Sequence, residues 1–250
     1  MTKWRCDYLE RIWSLAGQYD SWLEVEKAVA LAQGQTGDIP LAAAIHIDLF
    51  ASYSLDRCLE LEKEMRHDLN AFVRCVAESI KHPLDYGSLI HYGLTSSDVV
   101  DTALSLRLTR TGSHLHDLCS YKTVYPWSQA QRLLARATRE IEYGKISGPV
   151  GTHASVSPNV EVLVMRRLGL LPEPVSTQIV PRDRHAAYVV ALAGVALAFG
   201  GRETAAVLIA LENIPLWHER DISHSGNERI YLPEICLNVD RLLHKAKGDF

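Results

Sequence analysis

The sequence predicts an all-α protein built as a bundle of long helices. Three observations predict it. Apolar residues recur at three- and four-residue steps over long stretches, the spacing of one helix face. No segment shows the sustained apolar–polar alternation of a half-buried strand. The helical stretches are long, and Gly and Pro punctuate the breaks between them, which points to a bundle. With 250 residues, 47% of them hydrophobic, the chain has enough material for a substantial core in one or two domains.

The first helical run is "YLERIWSLAGQYDSWLEVEKAVALA", marked by Leu9, Ile12, Trp13, Trp22, Leu23, Val25, Val29 and Ala30. Gly34, Gly37 and Pro40 in "GQTGDIP" break it. A second run covers about Leu55 to Ile80, with Leu55, Leu59, Leu69, Phe72, Val73 and Val76 on its apolar face, and ends at Pro83 and Gly87. "TSSD" opens a third helix carried by Val99, Val100, Ala103, Leu104 and Leu106, which Gly112 weakens. Arg132 to Tyr143 is helical again, and Gly144 to Asn159 is a loop rich in glycine and serine. Val160 to Leu168 reads as a short helix and Gly169 to Pro181 as irregular. "AAYVVALAGVALAFGG", Ala186 to Gly201, is an apolar helix. The segment "LWHERDISHSGNERIYLPE" and a final short helix at about Cys236 to Lys245 follow.

Composition excludes several classes. The formal net charge is −4, from 26 basic and 30 acidic residues, and no basic block exists, so nucleic acid is not an expected partner. The five cysteines, Cys6, Cys58, Cys75, Cys119 and Cys236, are widely spaced and form no C-x-x-C pair. That speaks against a disulfide framework or a zinc site and for a reducing compartment. The N-terminus "MTKWRCDYLERIW" is charged and lacks the apolar centre of a signal peptide. The run Ala186 to Gly201 is shorter than the ~18 residues of a membrane span. A soluble, cytoplasmic protein with no membrane partner is expected.

Five stretches could carry chemistry. In "HYGLTSSD", His91 precedes a cluster of hydroxyls, and Thr95, Ser96 or Ser97 can each cap the helix that follows. That helix start also offers the positive end of its dipole to a carboxylate or phosphate. "EMRHDLNAF" places Arg66, His67 and Asp68 in succession within a helix; a His beside an Asp is either a tuned acid or base or part of a polar face. "GKISGPVGTHASV" has Gly144, Gly148 and Gly151, not at dinucleotide-binding spacing, and is either a tight loop at a ligand or a plain connection. "STQIVPRDRHAAY" brings Gln178, Arg182, Asp183, Arg184 and His185 to the start of the apolar helix. "LWHERDISHSGNER" carries Arg220, Ser225 and Arg229, which could converge on a phosphate if the segment turns back on itself. Each stretch is a weak sign alone; five of them on one all-α scaffold favour a shared anion site.

The blocks "EMRHDLNAF", "HYGLTSSDVVDTALSLRL", "GKISGPVGTHASVSPNVE", "PVSTQIVPRDRHAAY" and "ENIPLWHERDISHSGNERIYLP" resemble adenylosuccinate lyase, in the family's order and across most of the chain. That family belongs to the fumarase/aspartase superfamily. "PVSTQ…RDRH" and "LWHERDISHS…ER" speak for it over other lyases of the superfamily. The resemblance implies a helical bundle of the fumarase/aspartase type, a homotetramer with shared active sites, and no metal or organic cofactor. It implies an elimination releasing fumarate from adenylosuccinate, or from the succinyl-carboxamide imidazole ribotide, in purine nucleotide biosynthesis. A base takes the proton next to a carboxylate and an acid protonates the leaving nitrogen. Arg66, His67 and Asp68 would lie at the substrate, with His67 a candidate acid or phosphate contact and His91 at the same site. Thr95 and Ser96 would hold a substrate carboxylate, Gln178 would meet the succinyl side, and Arg220, Ser225 and Arg229 would grip the phosphate. The expected domains are an N-terminal helical domain, residues 1–94, and a shortened central bundle, residues 95–250, without the family's C-terminal domain.

Two family features are missing from the sequence. Between Thr111 and Arg139 there is no T-H-G block, whose histidine is the usual general acid. "ALAFGGRETAAVLIALENIP" passes from one helix to the next block without the serine-bearing signature loop. The breaks fall between intact blocks, which implies a longer ordinary enzyme with mobile stretches left out. The rival expectations are a remnant or scaffold of the same fold that binds nucleotide without catalysis and, least favoured by these blocks, another lyase of the superfamily.

Overall fold

The computed structural model describes residues 7–81, 85–175, 177–218 and 221–249. Among these, the regular elements are helices apart from one two-residue strand pair. The first helical run divides at Ser14 into α1, Asp7–Trp13, and α2, Leu15–Thr36. Ser14 donates both its hydroxyl and its N–H to the Arg11 carbonyl, a local alternative to the next helical turn. Helix α3, Leu41–Phe50, occupies a stretch to which the periodicity assigns no element. Its Leu41, Ile45, Leu49 and Phe50 are exposed while Ala43, Ala44 and Ile47 are buried, so its apolar residues mark no single face.

The run expected as one helix from Leu55 to Ile80 is two, α4, Leu55–Met65, and α5, Asp68–Ser79. Arg66 closes α4 in the left-handed region at φ 52°, and extended His67 begins α5. Both helices keep their apolar faces, which is why the periodicity carries across the joint. A 3-10 turn at Gly87–Leu89 precedes α6, Ser96–Cys119, which runs on through Gly112. A Cβ at 112 would stand 2.3 Å from Thr138 Oγ1 on α7, Trp127–Glu140, so the glycine admits a close helix approach. Strand β1, Tyr143–Gly144, pairs in parallel with β2, Leu171–Pro172, across α8, Pro158–Leu168. Ser157 caps α8 and left-handed Gly169 ends it.

Helix α9, Arg182–Ala198, holds the apolar run and packs against α7, α10, Thr204–His218, and α11, Ser223–Lys247. The irregular connection and short last helix expected after Leu216 are mostly α11, which passes through Pro233. No described helix is long and apolar enough to cross a membrane.

Two compact units result. The internal unit is Leu15–Leu106 with Tyr143–Val180; its core joins Tyr19, Trp22, Phe72, Val99, Ile146 and Val164. Tyr19 and Phe72 stack there with centroids 5.6 Å apart. The terminal unit takes the chain up to Ser14, Arg107–Glu142 and the chain from Pro181 on; Leu134, Tyr188, Leu192, Leu232 and Val239 are buried in it. Helix α6 gives its first half to the internal unit and its second to the terminal one. Each unit pairs helices far apart in sequence, so the expected boundary between residues 94 and 95 falls inside the internal unit.

Candidate active site

Asp98 in the first turn of α6 organises the site in the internal unit. It is fully buried, and its carboxylate accepts four donors. Oδ2 accepts the Thr95 N–H at 2.9 Å, half of a capping box. Oδ1 accepts the Lys145 ammonium at 2.6 Å and the N–H groups of Ser147 and Gly148 at 2.9 and 3.2 Å. Lys145 is equally buried, and its backbone exchanges two hydrogen bonds with the Thr102 hydroxyl. A helix start, a cap and a glycine-rich loop are thereby welded into one piece. Lys145 also balances the Asp98 charge, so the positive end of the α6 dipole is not cancelled for an outside anion.

Close backbone approach completes this cradle. Gly93 has φ 74°, and a Cβ there would lie 2.4 Å from the Ser155 carbonyl oxygen. Ser155 donates its hydroxyl to the Gly93 carbonyl at 2.7 Å. Gly151, at φ 71°, leaves 2.2 Å between its would-be Cβ and the Thr177 carbonyl carbon. Ser97 donates its hydroxyl to the Gln178 carbonyl at 2.8 Å, and the Val180 N–H donates to Asp101 at 2.8 Å. Thr95 and Ser96 are half-buried and Gln178 is exposed at this rim.

His91 sits in the left-handed region at φ 62°, rare for a non-glycine residue and costly unless neighbours enforce it. Glu26 on α2 enforces it. Its carboxylate accepts the His91 N–H at 3.1 Å and meets Nδ1 at 2.6 Å. The carboxylate can only accept, so Nδ1 carries a proton in this pair. Burial works against the charged ring, but the hydrogen bond and charge of Glu26 outweigh it, with a smaller contribution from Asp98, and the His91 pKa is raised. The result is an imidazolium-favouring group suited to donating a proton or clamping an anion.

The other expected residues are placed as follows. Arg66 and His67 are exposed at the α4–α5 joint, and His67 Nδ1 accepts the Asn70 N–H at 3.3 Å as the N-cap. Asp68 Oδ1 accepts the Leu69 N–H at 2.8 Å. This triplet is a corner between helices, not a face within one. Ser225 and Arg229, in the terminal unit, stand one turn apart on the same side of α11 in place of a chain that turns back. Arg220 lies outside the described residues. Alongside them, Glu228 is buried against Arg182 at 3.1 Å and His185 at 2.6 Å. Burial pushes the Glu228 pKa up, but Arg182 and His185 overcome this and hold its carboxyl far below the usual range. Two of the four ionisable residues in the first turn of α9, Arg182 and His185, are thus internal scaffolding. The internal unit holds His91, Thr95, Ser96 and Gln178 near the glycine loop, and the terminal unit places Ser225 and Arg229 one turn apart on α11.

Sequence reasoning passed over Glu26, Lys145, Glu161 and Glu228. Glu26 shares a helix face with Trp22, Val25 and Val29, so an acid on an apolar stripe was a visible sign. Lys145 is the lone lysine or arginine of the loop Gly144 to Asn159. Glu161 holds the same loop from α8, accepting the Ile146 N–H at 2.8 Å and pairing with His153 at 3.0 Å.

Solved structures share this architecture. The 3-carboxy-cis,cis-muconate lactonizing enzyme from Pseudomonas putida matches with a TM-score of 0.79 at 18% identity, covering 96% of this chain and 73% of that one. A fumarate lyase from a Mesorhizobium species matches with a TM-score of 0.69 over the same shares, also at 18% identity. The fold is therefore that of the fumarase/aspartase-type lyases. Curated relatives are closer in sequence. Adenylosuccinate lyase from Synechocystis is 33% identical over 319 aligned positions, covering 94% of this chain and 73% of the relative. Those from Staphylococcus saprophyticus and Bacillus subtilis are 33% and 32% identical, over 95% of this chain and 74% of each. The chain belongs to the adenylosuccinate lyase family, as an adenylosuccinate lyase-like lyase. No family model matches it. An alignment of 319 positions that takes up 94% of 250 residues leaves the relatives with extra residues inside the matched stretch.

Proposed function

We propose that the chain binds adenylosuccinate, the compound its relatives are named for, and cleaves it to AMP and fumarate in purine nucleotide biosynthesis. The observation that carries this reading is the first turn of α6, where Asp98 and Lys145 pre-build an anion-receiving helix end beside His91. A substrate carboxylate would rest against Thr95 and Ser96, with Gln178 on the succinyl side. His91 is the candidate acid for the leaving nitrogen, because Glu26 favours its protonated form. His67, Arg66 and Asp68 would stand at the substrate, and Arg220, Ser225 and Arg229 would hold the phosphate. The succinyl-carboxamide imidazole ribotide presents the same succinyl group and would be cleaved in the same way. On this reading the protein is a homotetramer in the cytoplasm, where the unpaired, buried Cys58, Cys75, Cys119 and Cys236 suit a reducing compartment. Light scattering of the purified protein tests the tetramer.

A second reading is favoured by one feature of the sequence. The chain has neither the T-H-G histidine nor the signature-loop serine, so binding would survive where turnover is lost. Adding adenylosuccinate and following fumarate separates the two. Fumarate release supports the lyase. AMP binding without release, lost in Arg229→Ala, supports the scaffold. Neither turnover nor binding defeats both.

A further inference from the structure

We propose that His114, Asp240 and His244 in the terminal unit form a binding site for a divalent metal ion of the zinc class. Asp240 and His244 are four residues apart on α11 and so lie on one face, one turn apart. His114 reaches them from α6. One ligand atom from each of the three lies within 4.8 Å of the other two. His114 Nε2 is 2.9 Å and His244 Nε2 3.7 Å from Asp240 Oδ1. Ligand atoms bound to zinc at about 2.0–2.2 Å stand roughly 3.3 Å apart in a tetrahedron, so small side-chain shifts complete the set.

Two further observations point to a cation. Asp240 is fully buried, yet its Oδ2 has no hydrogen-bond partner among the described residues. A buried carboxylate oxygen left so is costly, and metal ligation satisfies it. Asp249 Oδ2 meets His244 Nδ1 at 2.5 Å, the outer carboxylate that fixes a ligating imidazole and presents its Nε2. Access is open. His114 borders two shallow depressions of about 310 and 350 Å³, both also lined by Asp117. An ion can enter there, and water or a fourth ligand can complete the coordination. Two imidazoles and one carboxylate suit zinc, nickel or copper over magnesium or calcium. Arg110 and Lys247 line the same depressions and weaken the field for a cation, so the affinity is moderate.

The test is a zinc titration of the full chain at neutral pH, stripped with a chelator and followed by calorimetry. One zinc ion per chain is expected, unaffected by excess magnesium or calcium. His114→Gln and His244→Gln should each weaken binding more than about ten-fold, and Asp249→Asn by about ten-fold with all three ligands in place. No stoichiometric zinc on the wild-type chain overturns the proposal. So does undiminished binding in folded His114→Gln/His244→Gln protein, which would put the ion on other histidines. Zinc X-ray absorption of the wild-type complex settles the ligands without any variant: two imidazoles and oxygen are expected, and a sulfur ligand or no imidazole overturns the assignment.

Discussion

Replacing Asp98 with Asn probes the piece on which the site rests. Asp98 and Lys145 are 0% and 1% exposed at the side chain and 2.6 Å apart. The substitution keeps the shape and removes the counter-charge of a buried ammonium, which costs about 3–5 kcal/mol. An Asn side chain also has one acceptor oxygen where the carboxylate has two. Either the Thr95 N–H or the donors around Oδ1 lose their partner, adding about 1–3 kcal/mol. The sum is a large part of a total stability of about 5–15 kcal/mol. Urea unfolding followed by circular dichroism reads it. With a slope of about 2 kcal/mol per molar, the midpoint should fall by about 2 M or more. Asp98→Asn/Lys145→Met, which removes both charges, should be less destabilised than the two single variants added together. An Asp98→Asn protein within about 1 kcal/mol of wild type would refute the hub.

Three more outcomes follow from the same geometry. The raised His91 pKa means the Glu26 pair contributes stability fully below about pH 6.5, the unfolded histidine value, and loses it as the pH climbs through the higher folded one. Glu26→Gln should flatten that dependence and lower the His91 pKa in an NMR titration; an unmoved His91 pKa contradicts the pairing. Glu228 has a lowered pKa, so its contribution is present above the ordinary carboxylate range near pH 4.3 and is lost as the pH falls below it. Glu228→Gln, leaving Arg182 and His185 without their shared anion, should cost about 3–5 kcal/mol at neutral pH and less in acid. Gly93→Ala meets both a positive φ and the Ser155 carbonyl, and should weaken adenylosuccinate binding and lower the thermal midpoint. A crystal structure of that variant with the loop undisturbed would contradict it.

Much of the fold was legible because burial imposes a period. The stripe from Trp22 to Ala30 and the run from Ala186 each became a helix. Breaks set by backbone geometry were harder to read. Arg66 turns left-handed and divides one expected helix into two, and no glycine or proline marks the place. Helix α3 escaped notice because its apolar residues point both inward and outward. At the site, the hydroxyl cluster of Thr95 to Ser97 announced a cap, and Asp98 read as an ordinary first-turn acid. Its partners are local in space but not in sequence: Lys145 is 47 residues away, and Glu26 is 65 from His91. Short-range patterns can mark Glu26 as an acid on an apolar stripe, but not the partner it meets. In "RDRH" the spacing alone does not tell a helix entry from a site, and Arg182 and His185 are spent on the buried Glu228.

The most direct measurement is fumarate release when adenylosuccinate is added to the purified chain, with His91→Asn alongside. Fumarate and AMP are expected in equal amounts from the wild-type protein, and a turnover in His91→Asn reduced by about 10²–10⁴-fold, as for loss of a general acid. A wild-type chain that neither binds adenylosuccinate nor releases fumarate would contradict it.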